Sequence, residues 1–545
     1  MALASADTYV VVVALPNMMS GVGLGIDELH RAAPIISGFL LGYIAVLPLI
    51  GRLSDLVSRQ KVLLACLGVF VVGSAITAVS VELPVLVFGR VLQGIGGGGL
   101  VPATLALVAD LWPPGRLGMP LGVVGAVQEL GSVLGPLLGA AVLAVADWRA
   151  IFWLNVVLGI VIAAALAMTA GREARPHLRP VPTVLALVTL CAGLLTLTAP
   201  TALAGSVTLG IPFVPFAANS RLATPMGVIT LVLLLVTLGA LVAAPDISRS
   251  LSVLIRRVDV FGALCIAVAL GSLVLTFASA NPEREVVGRW GWALAPLGLV
   301  AVAAYLWRHH TARDPLVARG LMVGSGRSGL IPALLVSVLV GVALVAIVVD
   351  VPFLARLTVT GSQTTAALLL VRFLVAVPVG ALAGGWLLNR HGPAVVAAPG
   401  LALAGVGLAL MSGWGHDSLQ SWSVTPVLAL AGLGLGLAVA PVNAAALADA
   451  PGDAHGVVSS LVVLARMVGM VAGLALLTAV GLHRYYAAVA ALPDQGSSGA
   501  LAAVGVVQVQ TVFLGGAIAA FCAAAISLAL SGPRSRGSGG RVRGS

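Results

Sequence analysis

Residues 330–349 read LIPALLVSVLVGVALVAIVV, twenty consecutive positions without a charge. Twenty residues of α-helix rise about 30 Å, the thickness of a bilayer's hydrocarbon core. Lipid offers no partner to a bare peptide group, so such a run crosses as a helix that satisfies its own backbone. Residues 226–244 repeat the pattern, and working outward gives sixteen stretches: approximately 2–20, 32–50, 62–79, 85–109, 117–142, 150–170, 182–198, 226–244, 259–279, 292–307, 328–350, 366–388, 393–412, 426–446, 456–480 and 509–530. Their apolar character is continuous and does not alternate, which excludes a membrane β-barrel. The predicted class is an all-α, polytopic membrane protein, with 2–20 and 292–307 marginal in length.

Composition agrees. The chain is 60% hydrophobic and 9% charged over 545 residues, where soluble domains carry about 25% charged residues. A net charge of +10 can signal nucleic acid, but here its placement signals membrane topology. With the N-terminus inside, 19 of the 29 basic residues fall in cytoplasmic loops or the C-terminal tail, 7 fall outside and 3 lie within spans. That bias predicts a plasma (inner) membrane protein with both termini cytoplasmic. The tail arginines Arg534, Arg536, Arg541 and Arg543 suit either an anionic inner leaflet or a solvated end. No cleavable signal is evident. Cys66, Cys191, Cys265 and Cys522 all lie in apolar stretches without CxxC spacing and read as small core residues, with no disulfide and no metal.

Several function classes drop out. The single lysine, Lys61, follows Ser58-Arg59-Gln60, so no phosphate-cradling GxxxxGK loop exists for an ATP-driven pump. The eight histidines are scattered over loops and span ends, giving no convergent catalytic set. No enzyme, cofactor or nucleic-acid partner is expected; the proton motive force remains as the energy source, and a monomer as the working form.

Polar breaks at Arg172-Glu173-Ala174-Arg175-Pro176-His177 and at Arg308-His309-His310 divide the chain into a six-span block (1–171), a central linker with about four spans (172–327), a second six-span block (328–530) and a basic tail (531–545). A weak repeat supports the division. The loop after span two, Gly51-Arg52-Leu53-Ser54-Asp55, matches Gly385-Trp386-Leu387-Leu388-Asn389 after the second span of the last block. Repeats of this kind mark transporters that rock around a midplane site.

Charged residues inside spans are the candidates for that site, because each costs about 2.5–3.5 kcal/mol on insertion scales. Asp7, Glu129 and Arg466 are the proposed central charges. A carboxylate keeps its proton in apolar surroundings and yields it beside a cation. A carboxylate that met Arg466 in only one state would therefore couple proton movement to the cycle; a static ion pair is the competing reading. Arg90, Gln93 and Gly94 share one face of span four, and Arg90 either faces a polar partner or snorkels to the interface. Gly131, Gly135 and Gly139 form a stripe for a neighbouring backbone, and Pro136 bends the helix. Arg372 has no obvious partner, Asp350 being possible, and reads first as a structural or snorkelling charge. Asp55 suits the N-terminal end of a following helix, and Arg59 and Lys61 suit pairs across the cytoplasmic face.

These motifs resemble those of the major facilitator superfamily: the Gly51 loop with Gly51, Asp55, Arg59 and Lys61; Arg90-x-x-Gln93-Gly94; and the exporter Gly-Pro segment around Gly135-Pro136. Trp148-Arg149, Phe152 and Asn155 resemble the WR-x-x-F-x-x-N stretch of its fourteen-span drug:proton antiporter branch. The loop departs from the family pattern at Leu56, Ser58 and Gln60, which implies a weaker gate. Ala6-Asp7-Thr8-Tyr9, Gln128-Glu129-Leu130-Gly131 and Ala465-Arg466-Met467-Val468-Gly469 are similar to the actinobacterial lipid and triacylglyceride exporters that work with a lipoprotein. The resemblance implies two pseudo-symmetric six-helix bundles plus central helices, fourteen spans against the sixteen counted, and functional roles for Asp7, Glu129, Arg466 and Asp55. Only six residues precede Asp7, fewer than in that branch, so a longer translated product is expected.

The expected function is proton-coupled export of lipids or hydrophobic amphiphiles by alternating access; the alternative is a multidrug:proton antiporter with no lipid role. The low aromatic content, 5%, leans toward lipid. The segment 481–508, opening His483-Arg484-Tyr485-Tyr486, reads as a ramp for lipid, a dock for a periplasmic lipoprotein, or a plain solvated loop.

Overall fold

The computed structural model describes residues 1–25, 29–169, 180–199, 211–216, 223–243, 258–278, 291–312, 314–319, 327–358, 363–448, 450–490 and 498–530. Asp27, Glu28, Arg172, Arg175, Arg313 and the arginine-rich tail lie outside them.

Among the described residues there are sixteen α-helices: α1 (Ala2–Gly21), α2 (Leu29–Leu56), α3 (Arg59–Val79), α4 (Leu83–Leu111), α5 (Gly118–Val145), α6 (Arg149–Thr169), α7 (Pro180–Thr198), α8 (Pro225–Ala243), α9 (Val260–Ala278), α10 (Gly291–Thr311), α11 (Arg327–Thr358), α12 (Gln363–His391), α13 (Pro393–Met411), α14 (Val424–Leu447), α15 (His455–Ala490) and α16 (Ser498–Ser527). They match the sixteen apolar stretches one for one. Twelve are long and apolar enough to cross a membrane. The two halves of α1, Ala2–Val11 and Val13–Gly21, meet at 68° and form a thirteenth if taken as one bent span. Val188–Thr198, Pro225–Thr237 and Val260–Leu273, within α7, α8 and α9, are shorter apolar segments.

Chain contacts sort into two units, Met1–Thr104 with Leu134–Val317, and Leu105–Val133 with Ala318–Ser545. In the first, Met18, Ile35, Leu86, Trp148 and Phe152 are core residues. Glycine sets the close approaches. Gly135 and Gly139 of α5 lie against Ala6 and Val10 of α1, and Gly94 and Gly98 of α4 lie against Phe39 and Tyr43 of α2. The second unit repeats the scheme ten helices later. Gly469 and Gly473 of α15 meet Val338 and Val342 of α11, while Gly432 and Gly436 of α14 meet Phe373 and Val377 of α12. The α3·α6 contact likewise recurs as α13·α16. Small residues serve here because helices in lipid associate by backbone proximity and van der Waals contact.

The central helices pair locally in the first unit. Hydroxyl bonds Thr189–Thr237 (2.7 Å) and Thr196–Thr230 (2.8 Å) join α7 to α8. Helix α9 packs on α10 and on α2. Arg308 of α10 donates through Nε to Asp259, 2.9 Å away at the start of α9.

Four sequence expectations are revised. Residues 51–56 continue α2 and Arg59 already begins α3, so the Gly51 loop is mostly helix with Val57 and Ser58 as the turn. The matching Gly385 segment is also helical; its turn comes at Gly392, whose φ of 79° favours glycine, before Pro393 starts α13. The expected outer loop begins as helix: α15 runs 36 residues to Ala490 and α16 runs 30 from Ser498. At 1.5 Å per residue those helices are about 54 and 45 Å long, well beyond a hydrocarbon core of about 30 Å. Finally, Cys66 and Cys265 are buried, but Cys191 and Cys522 are exposed on outward helix faces instead of in the core.

Candidate functional site

Two buried charge clusters stand out, one in each unit. The first centres on Asp7, 1% exposed on α1. Arg90 on α4 bonds its carboxylate through Nη1. Asn155 on α6 donates through Nδ2 to Asp7 Oδ1 at 2.6 Å, and Gln93 Nε2 approaches the same oxygen at 3.4 Å. Arg90 also donates to the Ile35 carbonyl (3.2 Å) and to Gln93 Oε1 (3.0 Å). Its guanidinium lies 4.5 Å from the Phe39 ring centre, a cation–π contact. Gln93 is held further by Ser74 Oγ, which accepts at 2.8 Å, and Thr77 Oγ1, which donates at 3.3 Å. The helical spacing of Arg90 and Gln93 puts both on the face of α4 that meets α1, while Gly94 lets α2 close in. Arg90 is 1% exposed. It is thus a paired interior charge, and the snorkelling reading is set aside.

The second cluster is Glu129 on α5 with Arg466 on α15, Nη1 to Oε1 3.4 Å. The side chains are 16% and 11% exposed for Arg466 and Glu129, so this pair is looser and more open than the first. The Arg466 carbonyl sits against Gly341 of α11, which fixes the backbone register there. Ser459, seven residues before Arg466, has a buried Oγ with no partner among the described residues. The three charges singled out from the sequence are therefore divided: Glu129 and Arg466 are brought together, whereas Asp7 belongs to Arg90, Gln93 and Asn155. Arg372 donates to Thr425 Oγ1 at 2.9 Å on an exposed face, and Asp350, though buried, is not its partner.

At the helix ends, Asp55 pairs with Arg59 across the α2–α3 turn at 3.6 Å, and Lys61 is exposed. Asn389, the counterpart of Asp55 in the repeat, accepts the Gly118 N–H at 3.1 Å and so caps α5. His455 and Asp110 lie 3.2 Å apart in the same unit. Sequence reasoning quoted Asn155 in a motif without assigning it to the site, and it missed Ser74 and Thr77. A polar amide two turns into an otherwise apolar span was the signal available for Asn155. Ser74 and Thr77 gave none, since each also bonds a backbone carbonyl of its own helix, as hydroxyls commonly do.

The chain matches the family model of the Major Facilitator Superfamily over residues 1–283 and 260–474. It is 34% identical to a triacylglyceride transporter of Mycobacteroides abscessus over 89% of this chain and 81% of that protein. It is equally similar, at 34% with the same coverage, to a triacylglyceride transporter of Mycobacterium tuberculosis. Among solved structures, the human organic anion transporter MFSD10 has the same fold with a TM-score of 0.57 at 16% identity, covering 96% of both chains. The proton:xylose symporter XylE gives 0.51 at 13% identity, covering 93% of this chain and 92% of that one. Sixteen apolar helices among the described residues, glycine-lined pairing repeated in two units and buried charges in their interiors, together with these matches, establish that the chain belongs to the major facilitator superfamily and is a multi-pass membrane transporter, not an enzyme.

Proposed function

We propose that the protein exports lipids or hydrophobic amphiphiles of the triacylglyceride class across the inner membrane, driven by protons entering through Asp7 and Glu129. The observation that carries the reading is that two carboxylates are each paired with an arginine inside membrane-spanning helices. Buried ion pairs stabilise little or nothing relative to apolar residues of equal volume, so their presence argues for a role beyond stability. Intramembrane carboxylates with partners are characteristic of proton relays. In this scheme protonation of Glu129 frees Arg466, and deprotonation restores the pair. The looser, partly open geometry of that pair suits it to exchange partners during the cycle.

The substrate class follows the mycobacterial relatives, which are named as triacylglyceride transporters. An apolar groove of about 350 Å³ between α3, α4, α7 and α8, lined by residues such as Phe88, Leu190 and Leu231, accords with a protein that handles lipid. The long α15 and α16 extend the second unit beyond membrane thickness; with the termini cytoplasmic, as the basic-residue bias predicts, their joined ends form a periplasmic ramp that a lipoprotein carrier can meet. The protein works as a monomer in this reading, with the Asp55–Arg59 turn as part of the cytoplasmic gate and the six, four and six helix blocks as its domains.

The test is transport in vesicles. A fluorescent triacylglyceride and ethidium are each supplied to the reconstituted protein with and without an imposed pH gradient, for the native chain, D7N and E129Q. Gradient-dependent movement of the lipid, lost in both variants, is the expected outcome. Movement of ethidium alone makes the protein a drug antiporter, and lipid movement indifferent to the gradient removes the proton role.

A further inference from the structure

The Trp148–Asn155 stretch has a physical purpose that the two charge pairs alone do not account for. Phe152 and Asn155 lie on one face of α6, and Trp148, in the turn just before the helix, continues that line. Trp148 is buried and meets Phe152 edge-on, ring centres 5.8 Å apart at 82°. Phe152 lies 5.9 Å from the Arg90 guanidinium carbon, and Asn155 ends the column on Asp7. The head of the column is clasped: Arg149 donates to the carbonyls of Ser80 (3.0 Å) and Gly21 (3.4 Å), pairs with Asp147 (3.0 Å), and lies over the Trp148 ring at 4.4 Å. One helix face thus fixes Asn155 against the carboxylate.

The chemistry of the three donors differs. A carboxylate only accepts hydrogen bonds, whereas the protonated acid also needs an acceptor for its O–H. Arg90 has donors alone. Gln93 is locked in one orientation, since its oxygen takes Arg90 and Thr77 while its nitrogen serves Ser74. Asn155 is 6% exposed, and Asp7 is its one side-chain partner among the described residues. Its amide can turn end for end without breaking any other bond. Among the described residues, the charged group at Asp7 is Arg90 from α4, with Gln93 beside it and Asn155 from α6; α2 sets the Phe39 ring against Arg90, and α5 sets Gly135 against the neighbouring Ala6.

We propose that Asn155 is a positioning residue that serves both protonation states of Asp7: its Nδ2 donates to the carboxylate, and after rotation of the amide its Oδ1 accepts from the acid. On uptake a proton bonds to Asp7 Oδ1 and the new O–H points at Asn155 Oδ1; on release the proton leaves to water and the amide turns back. Asp7 can then load and unload without losing its pocket. This rests on the proton role proposed for Asp7 above.

Infrared difference spectroscopy on the full chain in phosphatidylethanolamine–phosphatidylglycerol vesicles tests it. The Asp7 acid band is the one missing in D7N, and the Asn155 amide carbonyl band is the one missing in N155L, with N155S as a second variant should leucine fail to fold. On acidification the Asn155 band moves to lower frequency in the native protein as its oxygen gains a bond, and it stays fixed in D7N. Gradient-driven movement of a fluorescent triacylglyceride falls about 10- to 100-fold in N155L and N155S, the equivalent of one hydrogen bond to a charged group. An amide band that ignores pH while the Asp7 band titrates, or variants that transport as the native chain does, overturns the proposal alone. Absence of any titrating band sensitive to D7N overturns the proton role of Asp7 itself.

Discussion

Replacing Arg90 by methionine probes the most enclosed interaction in the molecule. Methionine keeps a long apolar stem beside Phe39 and Phe152 while removing the charge. The Arg90 and Asp7 side chains are 1% and 0% exposed, so solvent does not screen the pair. Removing one member of such a pair leaves the other charge buried and costs about 3–5 kcal/mol. R90M is expected in that range, because Asp7 retains Asn155 and Gln93 but loses its counter-charge. D7N is milder, about 2–3 kcal/mol, since the amide preserves shape and Arg90 keeps the Ile35 carbonyl and Gln93 as neutral acceptors. The double variant D7N/R90M buries no charge and is expected to lose only about 1–2 kcal/mol relative to the native chain. The cycle therefore gives a coupling energy of about 3–7 kcal/mol from these figures, at or above the top of the range for neighbouring pairs. Denaturant-induced unfolding in mixed micelles, followed by tryptophan fluorescence, measures all four proteins. A double variant as unstable as the sum of the singles refutes the reasoning, since it would mean that Asp7 and Arg90 do not hold each other.

Other perturbations bear on different parts of the fold. R466M and E129Q remove the looser pair; each is expected to abolish gradient-driven lipid transport, read in the same vesicles, while costing less in unfolding experiments than R90M, because this pair is longer and less enclosed. G469L places a side chain where the Val338 backbone now lies, so α15 must move off α11, with an expected loss of about 1–3 kcal/mol or failure to accumulate in the membrane, read by quantitative immunoblot. N389A removes the cap on α5 and is expected to lower stability by about 0.5–2 kcal/mol, whereas N389D retains it, a contrast measurable in the same unfolding assay.

The class of this protein was legible because the signal is local. Hydropathy is summed over one segment, and a segment that must satisfy its own backbone in lipid becomes a helix whatever its neighbours do. All sixteen stretches proved to be helices for that reason, including the marginal 2–20 and 292–307. Helix ends were read less well. The segments 51–56 and 481–490 carry polar residues that suggest loops, yet both continue the preceding helix, because outside the hydrocarbon nothing forces a helix to stop.

The sequence by itself identified Asp7, Glu129 and Arg466 as charges inside spans that need partners, and left Arg90 open between a polar partner and the membrane interface. It did not say which charge meets which. Asp7 finds Arg90 across 83 positions and Asn155 across 148, and Glu129 finds Arg466 across 337. Those pairings depend on the glycine-set contacts of α1 with α5, of α2 with α4 and of α11 with α15. Which faces meet is a property of packed helices and not of any one of them, so only the tertiary structure could separate one tightly enclosed cluster from a second, looser ion pair.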